Sequence, residues 1–512
     1  NFEIDRIALN SDELIEKLIK QQDKVFNLIE VGELKTECTP FTTFTYQTIS
    51  ELEKQNAENA ILELRLILPY VMTINKKLQK VTVFDKTKNE TIYQKSNVSV
   101  ENDLTITYIQ INQTEQKVYS ISTEQDDLTI ILPLKEQYNA FPFDNNLAKL
   151  FLFYPLIGTE NFGFNLLLHS KQFAPTEPRD GIHLKSKNEQ IQEKEENNRI
   201  LLQKTFRLIT QFIETHCSKI QNVHLFAKLN FRTNIPNNPL LSEYFQELKQ
   251  KWVDKFKTFP LVETNENRIC PNETLFFSIE LLQDDDYFNS IYAIVNLFWQ
   301  KIPKKEIARK WTSYVTQWED DSIQFIDIKQ VAEKIKTTST LNYFKNIDYL
   351  KRFYEYLIKF NYSEIFNQYE ILPNIKNEFR LQSQLNSHLD IDDVLIEIAD
   401  VIIPDVPKRY LKEGFDFSLL FEPYERKQFV KDINAKIAEY KVDENSLLEK
   451  DVLHALIKYC SIFSSENFGT RADLLKLATK FYEIEQPFIN LSNLSDTDWW
   501  LTPLKCLLRN FI

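Results

Sequence analysis

Glycine is scarce in this sequence. The 512 residues include only six glycines, at positions 32, 158, 163, 181, 414 and 469, although about 7% is usual. No two of them have the spacing of the phosphate-cradling loops GxGxxG and GxxxxGKS, or of the GxSxG turn that carries a nucleophilic serine. The sequence therefore predicts no glycine-rich phosphate site within this chain.

Cysteine and histidine are also sparse and scattered. The five cysteines stand singly, at positions 38, 217, 270, 460 and 506, and none of the six histidines belongs to an HExxH pair. Zinc sites and disulfide frameworks need clustered or regularly spaced ligands. We therefore predict no metal site and no disulfide framework, and we expect the reducing environment of the cytoplasm.

Long apolar runs and excess basic charge are both missing. No apolar segment approaches the ~18–20 residues of a membrane span, and the polar first thirty residues do not resemble a signal peptide. The formal net charge is −13, from 74 acidic and 61 basic residues. Nucleic-acid binding is not expected, because it relies on a basic surface. A hydrophobic fraction of 43% predicts a folded, globular chain.

The most informative segment covers residues 149–182. It begins with two aromatic and aliphatic runs of strand length, residues 150–156 and 162–168, which a Gly-Thr-Glu-Asn turn separates. Such runs are typical of strands buried on both faces. A polar loop follows at residues 174–181, in which two prolines add stiffness and Gly181 permits a sharp turn.

Arg179 lies in this loop between two acidic residues, Glu177 and Asp180. A guanidinium stays charged and binds oxygen atoms through a planar fork, so an arginine on a stiff loop suits phosphate recognition. The alternative is a solvated surface loop in which Arg179 pairs with Asp180 or Glu177. The residues alone favour this simpler interpretation, because most charged loop residues have no other role.

The same loop resembles the middle domain of the ninety-kilodalton heat-shock chaperones and, more closely, of the sacsin-like ATP-binding proteins of the GHKL class. The family pattern falls on Phe173, Pro175, Thr176, Arg179 and Asp180. The resemblance implies that Arg179 is a catalytic phosphate sensor for the γ-phosphate of ATP bound in a separate amino-terminal domain. It also implies that Thr176 and Arg179 contact the nucleotide. ATP and Mg²⁺ would then act in the intact protein, and this chain alone would bind neither.

The amino-terminal segment adds to the resemblance. A predicted strand at residues 2–4, a predicted helix at 11–29 and a Thr-x-Phe-x-Tyr strand at 40–46 resemble the end of a GHKL domain. The family's magnesium-binding residues and glycine-rich lid are not present, so the resemblance implies that they lie upstream. A helical apolar stripe follows at residues 51–80, in which Pro69 is expected to break or restart the helix.

The rest of the pattern predicts an α+β fold. Strands at residues 81–85, 104–111, 117–122 and 128–134 would join the two apolar runs in a mostly antiparallel sheet of about six strands, as in a chaperone middle domain. A helix with Leu202, Phe206, Ile209, Phe212, Ile213 and His216 on one face would pack on it. His216 is interpreted as a core or boundary residue.

From about residue 240 the pattern becomes largely helical, with two short β-hairpins at 260–269 and 371–380 that read as diverged copies of one unit. Predicted helices cover residues 244–258, 287–300, 304–317, 342–360, 391–403, 427–440, 447–464 and 471–483. We predict four regions: the GHKL remnant at 1–50, an α/β middle domain at 51–235, a helical region with hairpins at 236–390, and a helical carboxyl-terminal domain at 391–512.

Two functions from different classes fit these observations. The first is the middle and carboxyl-terminal part of an ATP-dependent chaperone-like protein, whose helical region would bind protein clients or partner subunits, a homodimer being one arrangement. The second is a non-enzymatic interaction or scaffold module, in a setting such as a bacterial stress or defence system. A hydrolase that uses paired carboxylates has little support, because no acidic pair has a distinctive context.

Overall fold

The computed structural model describes residues 10–30, 47–84, 89–101, 103–125, 127–177, 179–231, 234–235, 238–387, 393–417, 419–439, 451–452 and 455. The chain divides into two units, Asn1–Leu66 and Ile67–Ile512. The first unit contains helix α1 (Ser11–Glu30), as predicted from the sequence. Asn10 caps it, because its Oδ1 accepts a hydrogen bond of 2.9 Å from the Glu13 N–H. The predicted strands at 2–4 and 40–46 lie outside the described residues.

Helix α2 (Glu51–Ile74) continues through Pro69, so the predicted break at this proline is wrong. Proline removes one hydrogen bond of the helix, but the turn around it is buried. Leu68, Tyr70, Val71 and Met72 are all buried next to Pro69. Burial of this apolar turn, at roughly 1.5–3 kcal/mol for each large side chain, offsets the lost hydrogen bond.

Twelve strands lie between Lys80 and Phe231 in the described part of the chain. They are β1 (Lys80–Phe84), β2 (Glu90–Glu101), β3 (Leu104–Ile111), β4 (Thr114–Thr123), β5 (Leu128–Ile131), β6 (Leu134–Lys135), β7 (Asn139–Ala140), β8 (Leu150–Leu152), β9 (Tyr154–Pro155), β10 (Phe162–Phe164), β11 (Leu167–Ser170) and β12 (Leu229–Phe231). Eight of them form one sheet in the order β1-β2-β3-β4-β5-β11-β8-β9. Only the β11–β8 pair in this sheet is parallel.

The predicted α+β fold with a mostly antiparallel sheet is therefore confirmed, with eight strands where about six were expected. Strand β2 was missed. Its sequence is polar, and most of its side chains are exposed or half-buried. Strand β2 is held by backbone pairing with β1 and β3, which an apolar pattern does not show.

Helix α3 (Gln192–His216) follows the sheet, and its predicted apolar face is confirmed. Leu202, Ile209, Phe212, Ile213 and His216 are buried along it. The His216 ring stacks on Tyr138 with a centroid distance of 6.1 Å, in agreement with its interpretation as a core or boundary residue. Helix α3 is also the element that supports the arginine loop, as shown below.

The remaining described helices are α4 (Pro239–Phe256), α5 (Asp285–Phe298), α6 (Lys305–Trp318), α7 (Ile328–Thr337), α8 (Ile347–Lys359), α9 (Ile365–Gln368), α10 (Asp393–Ile402) and α11 (Arg426–Glu439). The remaining described strands are β13 (Val262–Glu263), β14 (Arg268–Ile269), β15 (Leu275–Phe277), β16 (Gln324–Ile326), β17 (Leu372–Pro373), β18 (Phe379–Arg380), β19 (Asn386–Ser387) and β20 (Glu422–Pro423). Helix α7 was missed, and the predicted helices at 447–464 and 471–483 lie largely or wholly outside the described residues.

Both predicted hairpins form, as β13–β14 and β17–β18. Each is followed by a short 3₁₀ helix and then by a strand that belongs to a parallel pair, β15–β16 or β19–β20. In each hairpin the carbonyl that ends the first strand accepts a hydrogen bond from a later lysine N–H, Lys304 to Glu263 at 2.8 Å and Lys412 to Pro373 at 2.9 Å. The shared surroundings support the interpretation of two copies of one unit.

Candidate functional site: the arginine loop

Short buried strands lead into the arginine loop, which we define as residues 174–181. The predicted run at 150–156 forms β8 and β9, divided at Phe153, whose φ is +64°. The run at 162–168 likewise divides into β10 and the start of β11. Leu150, Phe151, Leu167 and Leu168 are completely buried. These strands fix the place where the loop leaves the sheet.

The loop folds back on itself as a small hairpin. Pro175 and Ile182 form an isolated antiparallel bridge. The Thr176 N–H donates to the Gly181 carbonyl at 3.0 Å, and the Arg179 N–H donates to the Thr176 carbonyl at 2.6 Å. The loop therefore places Arg179 at the end of a tight turn. Pro178 lies outside the described residues.

The sharp turn is at Arg179 and not at Gly181, where it was expected. Arg179 has a φ of +76°, in the left-handed region that favours glycine. Left-handed backbone costs an ordinary L-residue roughly 1–2 kcal/mol. Strain of this kind at a charged, exposed residue is common at functional sites.

The Arg179 side chain is exposed, and none of the ion pairs among the described residues includes it. The carboxylate of Asp180 instead accepts a hydrogen bond of 2.7 Å from the Thr176 hydroxyl. The expected pairing of Arg179 with Asp180 or Glu177 is therefore not found, whereas the exposure of Arg179 agrees with a solvated surface loop. Thr176 shapes the turn through this bond, and its contact with a nucleotide stays a prediction.

Three consecutive residues of α3 hold the base of the loop. The Asn198 side chain is completely buried and bonds to both strands of the hairpin. Its Oδ1 accepts from the Ala174 N–H at 2.9 Å, and its Nδ2 donates to the carbonyls of Ala174 at 2.9 Å and His183 at 2.7 Å. Asn197 donates to the Gln172 carbonyl, and Arg199 donates to the Leu184 carbonyl.

The support of the loop by Asn198 was not predictable from the sequence. Asn198 stands in the polar first half of α3, which reads as a solvated helix face. The only signal was the pair of uncharged amides, Asn197 and Asn198, between Glu196 and Arg199, and that signal is weak without the three-dimensional fold. Glu195, one helical turn earlier, is also buried.

The Gly158–Asn161 turn packs against the other side of the loop. Gly158 has a φ of +109°, and a Cβ atom at this position would lie 2.9 Å from the carbonyl oxygen of Asp180. The close approach is the physical reason for glycine here. The turn and α3 together hold the arginine loop from two sides.

No cluster of three or more histidine, cysteine, aspartate or glutamate side chains that could hold a metal ion occurs within the part of the chain that the structure describes. None of the described helices is long and apolar enough to cross a membrane. Among the sequence-predicted site residues, Thr176 and Arg179 lie in one turn, joined by the Arg179 N–H to Thr176 carbonyl bond. In comparisons with known proteins, no family model matches the chain, and no curated protein or solved structure matches it significantly.

Proposed function

We propose that this chain is the middle and carboxyl-terminal part of an ATP-dependent, chaperone-like protein. In this proposal Arg179 contacts the γ-phosphate of ATP held in an upstream GHKL-type domain together with Mg²⁺. The observation that carries it is an exposed guanidinium without a carboxylate partner, on a tight turn that two other elements hold in place. ATP hydrolysis belongs to the intact protein.

The physical role of Arg179 follows from its surroundings. The guanidinium forms no ion pair that would have to break before it binds a phosphate. The contact therefore requires little rearrangement of neighbouring side chains. The turn fixes the backbone, so the side chain starts from a restricted position. A charge-assisted contact becomes strong when the closing cleft excludes water, because the local dielectric falls. Arg179 would therefore stabilise the closed, hydrolytic state.

We propose that the sheet and α3 form a chaperone-middle-domain-like region, and that a largely helical carboxyl-terminal region binds protein clients or partner subunits in the cytoplasm. Both statements extend the resemblance of the arginine loop. The buried hairpin units between Leu261 and Phe379 would give this region a rigid base.

The test is ATP turnover by the full-length protein with its upstream domain. We expect Arg179→Ala to lower kcat by about 10²–10³-fold, the usual effect of removing a group that stabilises transition-state charge. Arg179→Lys keeps the charge but not the fork, so it should recover only part of the rate. Arg207→Ala removes another exposed arginine, on α3, and should have no effect. Unchanged turnover in Arg179→Ala would overturn the proposal.

A second candidate is a non-enzymatic interaction module. It is favoured by α1, where Ile15, Leu18, Ile19 and Phe26 follow one face of the helix and are 37–55% exposed. We propose a second copy of the chain as the partner, giving a homodimer. Light scattering of wild type and Ile19→Glu tests this, with a shift from dimer to monomer expected. A wild-type monomer at all concentrations would contradict it.

A further inference from the structure

A small polar pocket lies beside the Gly158–Asn161 turn, next to the sheet. Its volume is about 30 Å³, above the roughly 10–15 Å³ that one water molecule needs. Its lining includes two lysines, Lys149 and Lys228, and the side chains of Asn145, Glu160 and Asn165. The pocket shares this turn with the arginine loop but contains neither Thr176 nor Arg179.

Lys149 is held firmly in the wall of this pocket. Its N–H donates to the carbonyl and to the hydroxyl of Thr159 at 3.2 and 3.1 Å, and its carbonyl accepts from the Leu168 N–H at 2.8 Å. The residue is only 7% exposed. Its Nζ lies 5.5 Å from the centroid of the Phe143 ring. No side-chain or backbone oxygen of the described residues accepts a hydrogen bond from it.

A second cation faces the same space. Lys228 is half-buried, and its Nζ donates to Asn145 Oδ1 at 3.3 Å. Burial, and then the charge of Lys228, lower the pKa of Lys149 to about 8. At pH 7 the Lys149 ammonium is therefore still mostly protonated, with a neighbouring positive charge and no bonded anion.

The nearby acidic residues do not supply a bonded anion to Lys149. Glu160 Oε1 accepts a hydrogen bond of 2.9 Å from the Gly158 N–H, and Asp144 Oδ1 accepts one of 2.8 Å from the Asn146 N–H. Both carboxylates favour the charged form of Lys149 from a distance, but neither forms an ion pair with it. The Asn165 side chain is likewise engaged, with the Phe143 N–H and with two backbone carbonyls.

We propose that Lys149 and Lys228 together bind one small oxyanion group, a carboxylate or a phosphate, in this pocket. The Lys149 side chain is largely withdrawn from water beside a second positive charge, and an anion between the two lysines removes their mutual repulsion. The small volume suits one such group between the two lysines. The site does not involve Arg179 and stands independently of the function proposed above.

The test uses the chain with inorganic phosphate or acetate as the probe, at constant ionic strength. We expect saturable binding by calorimetry, and a rise in the pKa of Lys149 in the presence of the anion, observed by lysine side-chain NMR. Lys149→Met keeps the length of the side chain without its charge, and should weaken binding at least about tenfold. Lys171→Met removes a surface lysine paired with Asp127 at 2.9 Å, and should change nothing.

The two probes distinguish the sources of the group. Phosphate binding without acetate binding indicates a free phosphate or a phosphate ester, and the reverse indicates a carboxylate. If Lys149→Met does not fold, as judged by circular dichroism, Lys228→Gln replaces it with the same expected loss. The proposal is overturned by equal binding in wild type and folded variants, or by no saturable binding of either probe up to ~10 mM.

Discussion

Asn198, on α3, and Ala174, at the base of the arginine loop, exchange two hydrogen bonds of 2.9 Å. The Ala174 N–H donates to the Asn198 Oδ1, and the Asn198 Nδ2 donates to the Ala174 carbonyl. The side-chain amide thus pairs with the backbone as a neighbouring strand would. Because Nδ2 also donates to the His183 carbonyl, one side chain joins both ends of the loop to the helix.

Replacement of Asn198 should therefore loosen the loop. In Asn198→Ala, the Ala174 N–H and the His183 carbonyl lose their partner in a part-buried site, whereas the Ala174 carbonyl keeps the hydrogen bond of 3.1 Å from the His183 N–H. We expect a loss of about 2–3 kcal/mol in the free energy of unfolding, since each unsatisfied buried group costs roughly 1–3 kcal/mol. Urea denaturation measures the loss, and hydrogen exchange should show faster opening around residues 174–183.

The matched control is the next residue along the helix. Asn197 is half-buried, and its side chain makes one solvent-exposed hydrogen bond, to the Gln172 carbonyl. Asn197→Ala should cost less than about 1 kcal/mol, because water can replace the lost bond. Equal losses in the two variants would show that Asn198 does not have the bracing role assigned to it.

Substitution by alanine should affect the unfolding free energy differently at the two glycines near the loop. In Gly158→Ala the new Cβ would lie 2.9 Å from the Asp180 carbonyl oxygen, at a φ of +109°, so we expect a loss of about 2 kcal/mol or more. At Gly181 the nearest atom to a new Cβ is the Thr176 Oγ1, at 3.7 Å. Gly181→Ala should be neutral or slightly stabilising, and a large loss in its unfolding free energy would contradict the geometry of the turn.

The local elements of the fold were predictable because their signals are local. The hairpins at β13–β14 and β17–β18 and the apolar face of α3 follow from short patterns of turn residues and helical spacing. Strand β2 was not predictable in this way, since its backbone pairs with β1 and β3 while its side chains stay largely solvated. A pattern of apolar side chains cannot predict a strand that buries few of its side chains.

The candidate site was likewise predictable only in part. The presence of Arg179 in a short polar loop was visible in the sequence. Its left-handed backbone and its lack of a carboxylate partner were not, because they depend on the Thr176–Asp180 bond and on contacts from Asn198 and Gly158. Each of these residues has an ordinary role in isolation, and only the three-dimensional fold brings them to one loop.

Arg179→Gly separates the backbone of the turn from the chemistry of the guanidinium. Glycine accepts a φ of +76° without strain, whereas Arg179→Ala keeps the strain. We expect Arg179→Gly to be more stable than Arg179→Ala by about 1 kcal/mol. Under the function proposed above, ATP turnover should fall equally in both, because both lack the charged group. A rate that followed stability would indicate a structural role for Arg179.

The burial of His224 predicts how the free energy of unfolding depends on pH. The side chain is 1% exposed, and neither ring nitrogen has a hydrogen-bond partner among the described residues. Its ring stacks on Tyr314, with a centroid distance of 6.4 Å. Burial, with a smaller effect of the Lys310 charge, lowers the pKa of His224 from 6.5 to about 4. The folded protein therefore keeps His224 neutral where the unfolded chain would protonate it.

The sign of the effect follows from this difference. Between pH 6.5 and 4 the unfolded chain binds a proton at His224 that the folded protein does not bind, so acid favours unfolding. The contribution of His224 to the free energy of unfolding is present in full above pH 6.5. It is lost as the pH falls towards 4, with a total loss of up to about 3 kcal/mol. His224→Phe keeps a ring against Tyr314 and removes the titration. Its unfolding free energy, from urea titrations at pH 7.5 and 4.5, should fall less with acid than that of wild type.

His169 provides the contrast that makes this result specific. The pKa of His169 is also lowered by burial, but its Nδ1 lies 3.1 Å from the Phe151 carbonyl oxygen. The Phe153 N–H also lies 3.3 Å from this Nδ1. His169→Phe should therefore lose about 1 kcal/mol even at pH 7.5, because it removes the hydrogen bonding of Nδ1 with the backbone of β8 and Phe153. His224→Phe breaks no hydrogen bond and should lose little at that pH. If the unfolding free energy of His224→Phe fell with acid as much as that of wild type, the burial of neutral His224 would not be the cause of the acid sensitivity.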